Sequence, residues 1–171
     1  AKDVRDGEFL VYAPSFDGAI GEANVDNQQA VEIFQQSIDG YGFDCKIKVT
    51  DKMVADAMVN NSKRILLLKK GVMMTERDVN LLVHHEIGVH MLTTINATLQ
   101  PLKIWRLGMP ANTKTQEGLA VYGEFLSATM DSWRTKELGL RVICIDKMVK
   151  GYDFRETFEY ITDHLGVDPD K

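Results

Sequence analysis

The sequence predicts an α+β domain, and three observations carry that reading. Cys45-Lys46-Ile47-Lys48-Val49 alternates apolar and charged residues, as a half-buried strand does, while Ile65–Leu68 is a short continuous apolar run of strand length. Two longer stretches, Asp26 to Gly40 and Thr75 to about Asn96, repeat apolar residues at helical spacing behind capping residues. At 171 residues, 44% apolar and 26% charged, the chain is long enough to bury a core of its own.

Taken in order, Glu8–Tyr12 is expected to be a strand ended by Pro14, and Ser15–Val25 a loop. Asp26 is a good N-cap with Gln29 three residues on, and Val31, Phe34 and Ile38 keep one helical face until Gly40. Asp51 is expected to start a short helix through about Asn60, and Lys63–Lys69 a second, more deeply buried strand. The small sheet then comes from the runs near residues 8, 46 and 65. An edge strand at Arg64–Leu68 would offer an extended peptide a row of backbone partners; a buried strand suits the same run.

Thr75, followed by Glu76 and Asp78, has the acidic first turn of a helix. Val79, Leu82, Val83, Ile87, Met91 and Ile95 are its expected core contacts. Pro101 to Pro110 reads as an irregular connection, after which Thr113 and Gln116 resemble a capping box. In the helix that follows, Leu119, Tyr122, Phe125, Leu126 and Met130 are expected to pack as one face. Glu117, Ala120, Val121, Glu124 and Ala128 fall on another. Two further helices are expected at Trp133–Lys150 and Phe154–Leu165, stopped by Gly151 and Gly166, with Asp153 and Glu156 capping the latter. Asp168-Pro169-Asp170 has the form of a helix start, so the chain is expected to be a fragment truncated at its C-terminus.

A net charge of −5 without a basic stripe argues against a nucleic-acid partner, and no apolar run has the length of a membrane span. No signal peptide is visible, which makes a cytoplasmic setting the expectation. Cys45 and Cys144 lie far apart in apolar patterns and read as buried free thiols. The eight methionines read as core filler, and nothing in the sequence sets the oligomeric state.

The chemistry concentrates in His85-Glu86-Ile87-Gly88-Val89-His90 and, downstream, Thr115-Gln116-Glu117-Gly118-Leu119-Ala120. Two histidines and a glutamate on one segment, with a second glutamate on a later one, are the parts of a zinc hydrolase site. His85 and His90 would be ligands, Glu117 the third, and Glu86 the general base. The spacing is not the familiar H-E-x-x-H. Five steps on a regular α-helix leave two imidazoles roughly 140° apart, too far round to share one ion. The site therefore requires a local π-bulge, which widens the repeat to i→i+5, and Gly88 would ease that distortion. Without such a bulge the two histidines are ordinary satisfied helix residues.

Other residues have weaker claims. Glu124, seven after Glu117, is either a rival third ligand or a partner holding a ligand imidazole. His84 points elsewhere than His85. Arg106 and Lys103 could receive a substrate carboxylate or be solvated loop charges. Tyr122 could donate to an oxyanion or pack in the core. His164 lies near a helix C-terminus, where a cation is favourable.

His85-Glu86-Ile87-Gly88-Val89-His90, then Gln100-Pro101, then Thr115-Gln116-Glu117-Gly118-Leu119-Ala120 resemble the domain family named for its QEGLA motif, which has the five-residue H-E-x-x-x-H spacing and includes the microtubule-associated tyrosine carboxypeptidase. The resemblance runs from about Lys63 to the helix after Glu117. It implies a gluzincin-like metallopeptidase core over one domain, 1–171, with a small sheet packed on an active-site helix and a glutamate helix. It also implies one zinc ion per chain on His85, His90 and Glu117, with Glu86 as base. Family domains extend past this chain's end, so a transition-state stabiliser is expected outside it. The function implied is a zinc-dependent metallopeptidase, a carboxypeptidase by analogy, acting on a peptide or protein; the alternative is a non-catalytic metal-stabilised peptide-binding module or an inactive truncated peptidase.

Overall fold

Helix α1, Asn27–Tyr41, starts where its capping residues predict. The Asp26 carboxylate accepts the Gln29 N–H at 2.9 Å, and the Gln29 side chain accepts the Asp26 N–H at 3.0 Å. The helix runs past Gly40 and ends at Gly42, whose φ of 69° is the left-handed cap conformation that glycine adopts without strain. The computed structural model that shows this describes residues 21–107, 112–165 and 167. The strand expected at Glu8–Tyr12, most of the loop before Asp26 and the helix start at Asp168 lie outside those residues, as do Pro110 and Gly166.

Over the described residues the protein is α+β. The three strands are β1 (Lys46–Thr50), β2 (Ala57–Asn60) and β3 (Ile65–Lys69), in the order β1-β3-β2, with β1 parallel and β2 antiparallel to β3. The short helix expected over Asp51–Asn60 is not formed. Local hydrogen bonds win there: Thr50 Oγ1 accepts the Lys52 N–H at 3.2 Å, bending the chain where a helix would begin. Further on, Asn60 Oδ1 accepts from Ser62 Oγ at 2.9 Å and from the Lys63 N–H at 3.1 Å, closing a β2–β3 hairpin. Of the two readings of the run at Arg64–Leu68, the buried strand is the one formed. Paired on both sides, it is the centre of the sheet, with Leu66 and Leu68 fully buried, and β1 and β2 are the outer strands among the described residues.

Helix α2 (Glu76–Leu82) opens on a capping box between Thr75 and Asp78. It continues without a break into a π-helical segment, Val83–Met91, and then into α3, Leu92–Leu99. Val79, Ile87 and Met91 are buried in the core with Phe34, Ile38 and Leu66, and Leu82, Val83 and Ile95 pack partly against it. All six core contacts expected of this helix are therefore made.

Helix α4, Asn112–Leu126, packs against the π segment. Thr113 lies inside its first turn, and the Gln116 side chain reaches His90, so the expected Thr113–Gln116 cap is not made. Its expected apolar face is also corrected: Leu119, Tyr122, Phe125 and Leu126 are all more than half exposed, while Ala120 and Glu124 are fully buried. The small residues decide this. A Cβ added at Gly123 would lie 3.7 Å from Val89 Cγ2, so the side of α4 without bulk is the side that meets the π segment closely.

Ala19–Thr129 forms one compact unit, and the residues from Met130 onward belong to a second. In the second, α5 (Ser132–Val149) is capped by Asp131 and followed by Gly151 at φ 95°. Helix α6 (Phe154–Glu159) has the expected Asp153–Glu156 capping box and runs on into a π turn, Tyr160–His164. Cys45 is buried and Cys144 half-buried, both as free thiols. Met74 and Met91 are core residues, but Met58, Met73 and Met148 are exposed, so methionine is core filler only in part. No helix among the described residues is long and apolar enough to cross a membrane.

Candidate metal centre

The π segment resolves the spacing problem posed by the two histidines. In an i→i+5 repeat, residues five apart lie nearly above one another rather than on different faces. His85 and His90 accordingly stand with ring centroids 4.9 Å apart. Gly88, between them, has no positive φ, and a Cβ there would meet only ordinary contacts, 3.6 Å to the Tyr41 hydroxyl and 3.7 Å to the Val83 carbonyl. The segment does not depend on its glycine.

Helix α4 supplies the third group. Glu117 Oε2 lies 3.7 Å from His85 Nε2, and Glu117 Oε1 lies 3.7 Å from His90 Nε2. One ligand atom from each of the three residues lies within 4.8 Å of the others, so the group could hold a metal ion. Both imidazoles are turned for it. His85 Nδ1 is 2.7 Å from Glu124 Oε1, and His90 Nδ1 is 3.2 Å from Gln116 Oε1. Each acceptor can take an Nδ1–H, which leaves Nε2 of both rings turned toward Glu117. Two imidazoles presenting Nε2, with one carboxylate, are the donor set that zinc takes in hydrolytic sites.

Glu124 is 0% exposed and meets His85 at Nδ1, and it is not one of the three residues whose ligand atoms converge. Burial by itself lowers the His85 pKa. The hydrogen bond to Glu124 and the charges of Glu86, Glu124 and Glu117 outweigh that and hold the imidazole above its ordinary value.

Glu86 points to the sheet. It is 8% exposed, and its Oε2 accepts the Val59 N–H of β2 at 3.0 Å. Burial raises its pKa above the usual carboxyl value, against the opposing pull of His85, His90 and the Val59 N–H. His85, Glu86, His90 and Glu117 line a cavity of about 310 Å³ together with Ala57, Met58 and Val59.

The remaining candidates lie apart from this group. Tyr122 does not line the cavity; it is 54% exposed and stacks on Phe125 at 6.4 Å, so it is not a core residue either. Arg106 sits in a 3₁₀ turn, Lys103–Leu107, with Nη2 donating to the Thr98 carbonyl at 3.0 Å. Lys103 is exposed in the same turn, His84 is half-buried, and the His164 side chain lies outside the described residues. Two participants escaped the sequence reading. Gln116 fits a helix cap equally well in sequence, and its place beside Glu117 is the signal for its contact with His90. The Val59 N–H could not be found while residues 51–60 were read as helix.

Comparison with known families matches residues 11–171 to the family model described as microtubule-associated tyrosine carboxypeptidase. Comparison with curated proteins and with solved structures gives no match.

Proposed function

This chain belongs to the microtubule-associated tyrosine carboxypeptidase family, and on that premise we propose that it is a zinc-dependent carboxypeptidase acting on a peptide or protein. The observation that carries the zinc half of the reading is the convergence of His85 Nε2, His90 Nε2 and the Glu117 carboxylate, with both Nδ1 atoms already engaged. A bound zinc ion would polarise the scissile carbonyl and bring the pKa of an attacking water toward neutrality.

The chain's own residues supply the rest. Glu86 takes a proton from the water as its oxygen attacks the carbonyl carbon, then delivers that proton to the amine nitrogen when the C–N bond breaks. Its raised pKa suits the task, because a carboxylate of ordinary acidity is a poor proton acceptor near neutral pH. The Val59 N–H holds one carboxylate oxygen and so fixes its orientation. Glu124 and Gln116 keep His85 and His90 in the ligating tautomer. β2, which has no neighbour on its outer side among the described residues, lies in the cavity wall and would offer backbone groups to an extended substrate.

The test uses peptides ending in a free tyrosine, the residue named by the family's description, incubated with zinc-loaded protein and followed by mass spectrometry. The expected product is shorter by one residue, with turnover lost on chelation and in Glu86→Gln. Undiminished hydrolysis by Glu86→Gln would rule out the assigned base.

A further inference from the structure

A second cavity, of about 520 Å³, shares Asn61, Thr113 and Gln116 with the wall of the first. Gln116 is the partner of His90, so the two spaces meet at the edge of the metal centre. The second cavity is lined by Arg64, Arg106 and Trp105 with several hydroxyl groups, and no Asp or Glu is among its described lining residues. In a chain of net charge −5, that is a local reversal of sign.

The two arginines differ. Arg106 has one N–H fixed on the Thr98 carbonyl, which anchors its planar head in the wall. Arg64 closes the β2–β3 hairpin with φ 50°, in the left-handed region that favours glycine or asparagine over a long side chain. No hydrogen bond or ion pair engages its guanidinium among the described residues. The turn itself does not call for an arginine. Strained positions that the fold does not need are where a ligand role is to be sought.

Resting on the carboxypeptidase reading above, we infer that this cavity receives the residue to be released, and that Arg64, with Arg106, binds its terminal carboxylate. Guanidinium and carboxylate match in shape and charge, making two parallel N–H···O bonds where both oxygens are free. A carboxylate one residue beyond the scissile bond would fall beside the metal centre, which is where this cavity lies. Trp105 adds an aromatic surface for the side chain of that residue. An enzyme cutting internal bonds would have no terminal carboxylate to place here. Arg64 is thus assigned as a specificity-determining residue.

The test measures binding apart from turnover. A dye-labelled hexapeptide ending in tyrosine, made as free acid and as amide, is titrated by fluorescence anisotropy into the zinc-loaded Glu86→Gln protein. The acid is expected to bind about tenfold or more tighter, the scale of one charge-assisted pair. Arg64→Asn, which suits the left-handed turn and removes the charge, should abolish that preference, and Arg64→Lys should keep part of it. Equal binding of acid and amide, no binding of either, or a preference that survives in Arg64→Asn would overturn the assignment. Hydrolysis by the wild-type protein reports separately on the enzyme reading. Cleavage that ignores the terminal carboxylate would leave a hydrolase and remove this subsite, whereas an Arg64-dependent preference without cleavage would do the reverse.

Discussion

Glu124 Oε1 stands 2.7 Å from His85 Nδ1, on the side of the ring away from Glu117, and the carboxylate that holds it there is fully buried. A carboxylate oxygen only accepts, so this contact is a hydrogen bond only while His85 carries its proton on Nδ1. The pair therefore fixes a tautomer before any ion arrives. Glu124→Ala should weaken zinc affinity about 10- to 100-fold, and Glu124→Gln, which keeps an acceptor, should weaken it less. Titration against a competing chelator measures both, and an affinity unchanged in the alanine variant would contradict the role.

Protons and metal compete for His85. Because its neighbours raise its pKa, competition sets in above the ordinary imidazole value of about 6.5 and grows as the pH falls. Apparent zinc affinity should thus decline on acidification from pH 8 to 6, with protons released on binding. Calorimetry in buffers of different ionisation enthalpy would detect that release; zero proton release across this range would count against it.

Glu86 makes a prediction of the opposite kind. Its folded-state pKa is raised, so its contribution to stability is complete below the unfolded carboxyl value of about 4.3 and is lost as the pH rises through the folded value. At pH 7 the buried ionised form is a cost. In metal-free protein Glu86→Gln should therefore raise the melting temperature, by about 2–4 °C for each kcal/mol relieved, and in zinc-loaded protein it should remove turnover. The Gln oxygen can still accept the Val59 N–H. A lower melting temperature in differential scanning calorimetry would mean that the carboxylate stabilises the fold instead.

The thiols should separate in reactivity. Burial pushes the Cys45 thiol above its ordinary pKa, leaving little thiolate at pH 8, while Cys144 is half-buried on α5. Alkylation of native protein, read by mass spectrometry, should label Cys144 well before Cys45; the reverse order would contradict the burial.

What the sequence disclosed depended on whether periodicity or competition decided each place. The five-residue interval between His85 and His90 calls for a π-bulge if the two are to share one ion, and Val83–Met91 is π-helical. The Asp26 and Asp153 caps were legible for a similar reason: each satisfies its own helix end. Residues 51–60 were not. There Thr50 and Asn60 side-chain bonds, together with pairing to β3, outweigh a local helix start, and pairing partners do not show in a local window. Periodicity likewise found two faces on α4 but could not say which was buried. Ala120 and Gly123 allow close approach and Glu124 needs His85, so the polar face went inward and Tyr122 out. The spacing of Glu117 and Glu124 did place both carboxylates on the side of α4 that faces His85.

The measurement that bears most directly on the metal centre is zinc content by elemental analysis of untagged protein, beside His85→Ala and Glu117→Ala. One zinc per chain in the wild type, lost from both variants with the fold retained by circular dichroism, is the predicted result. Wild-type protein that stays metal-free after zinc addition and dialysis, or variants that bind zinc as the wild type does, would contradict the centre built from His85, His90 and Glu117.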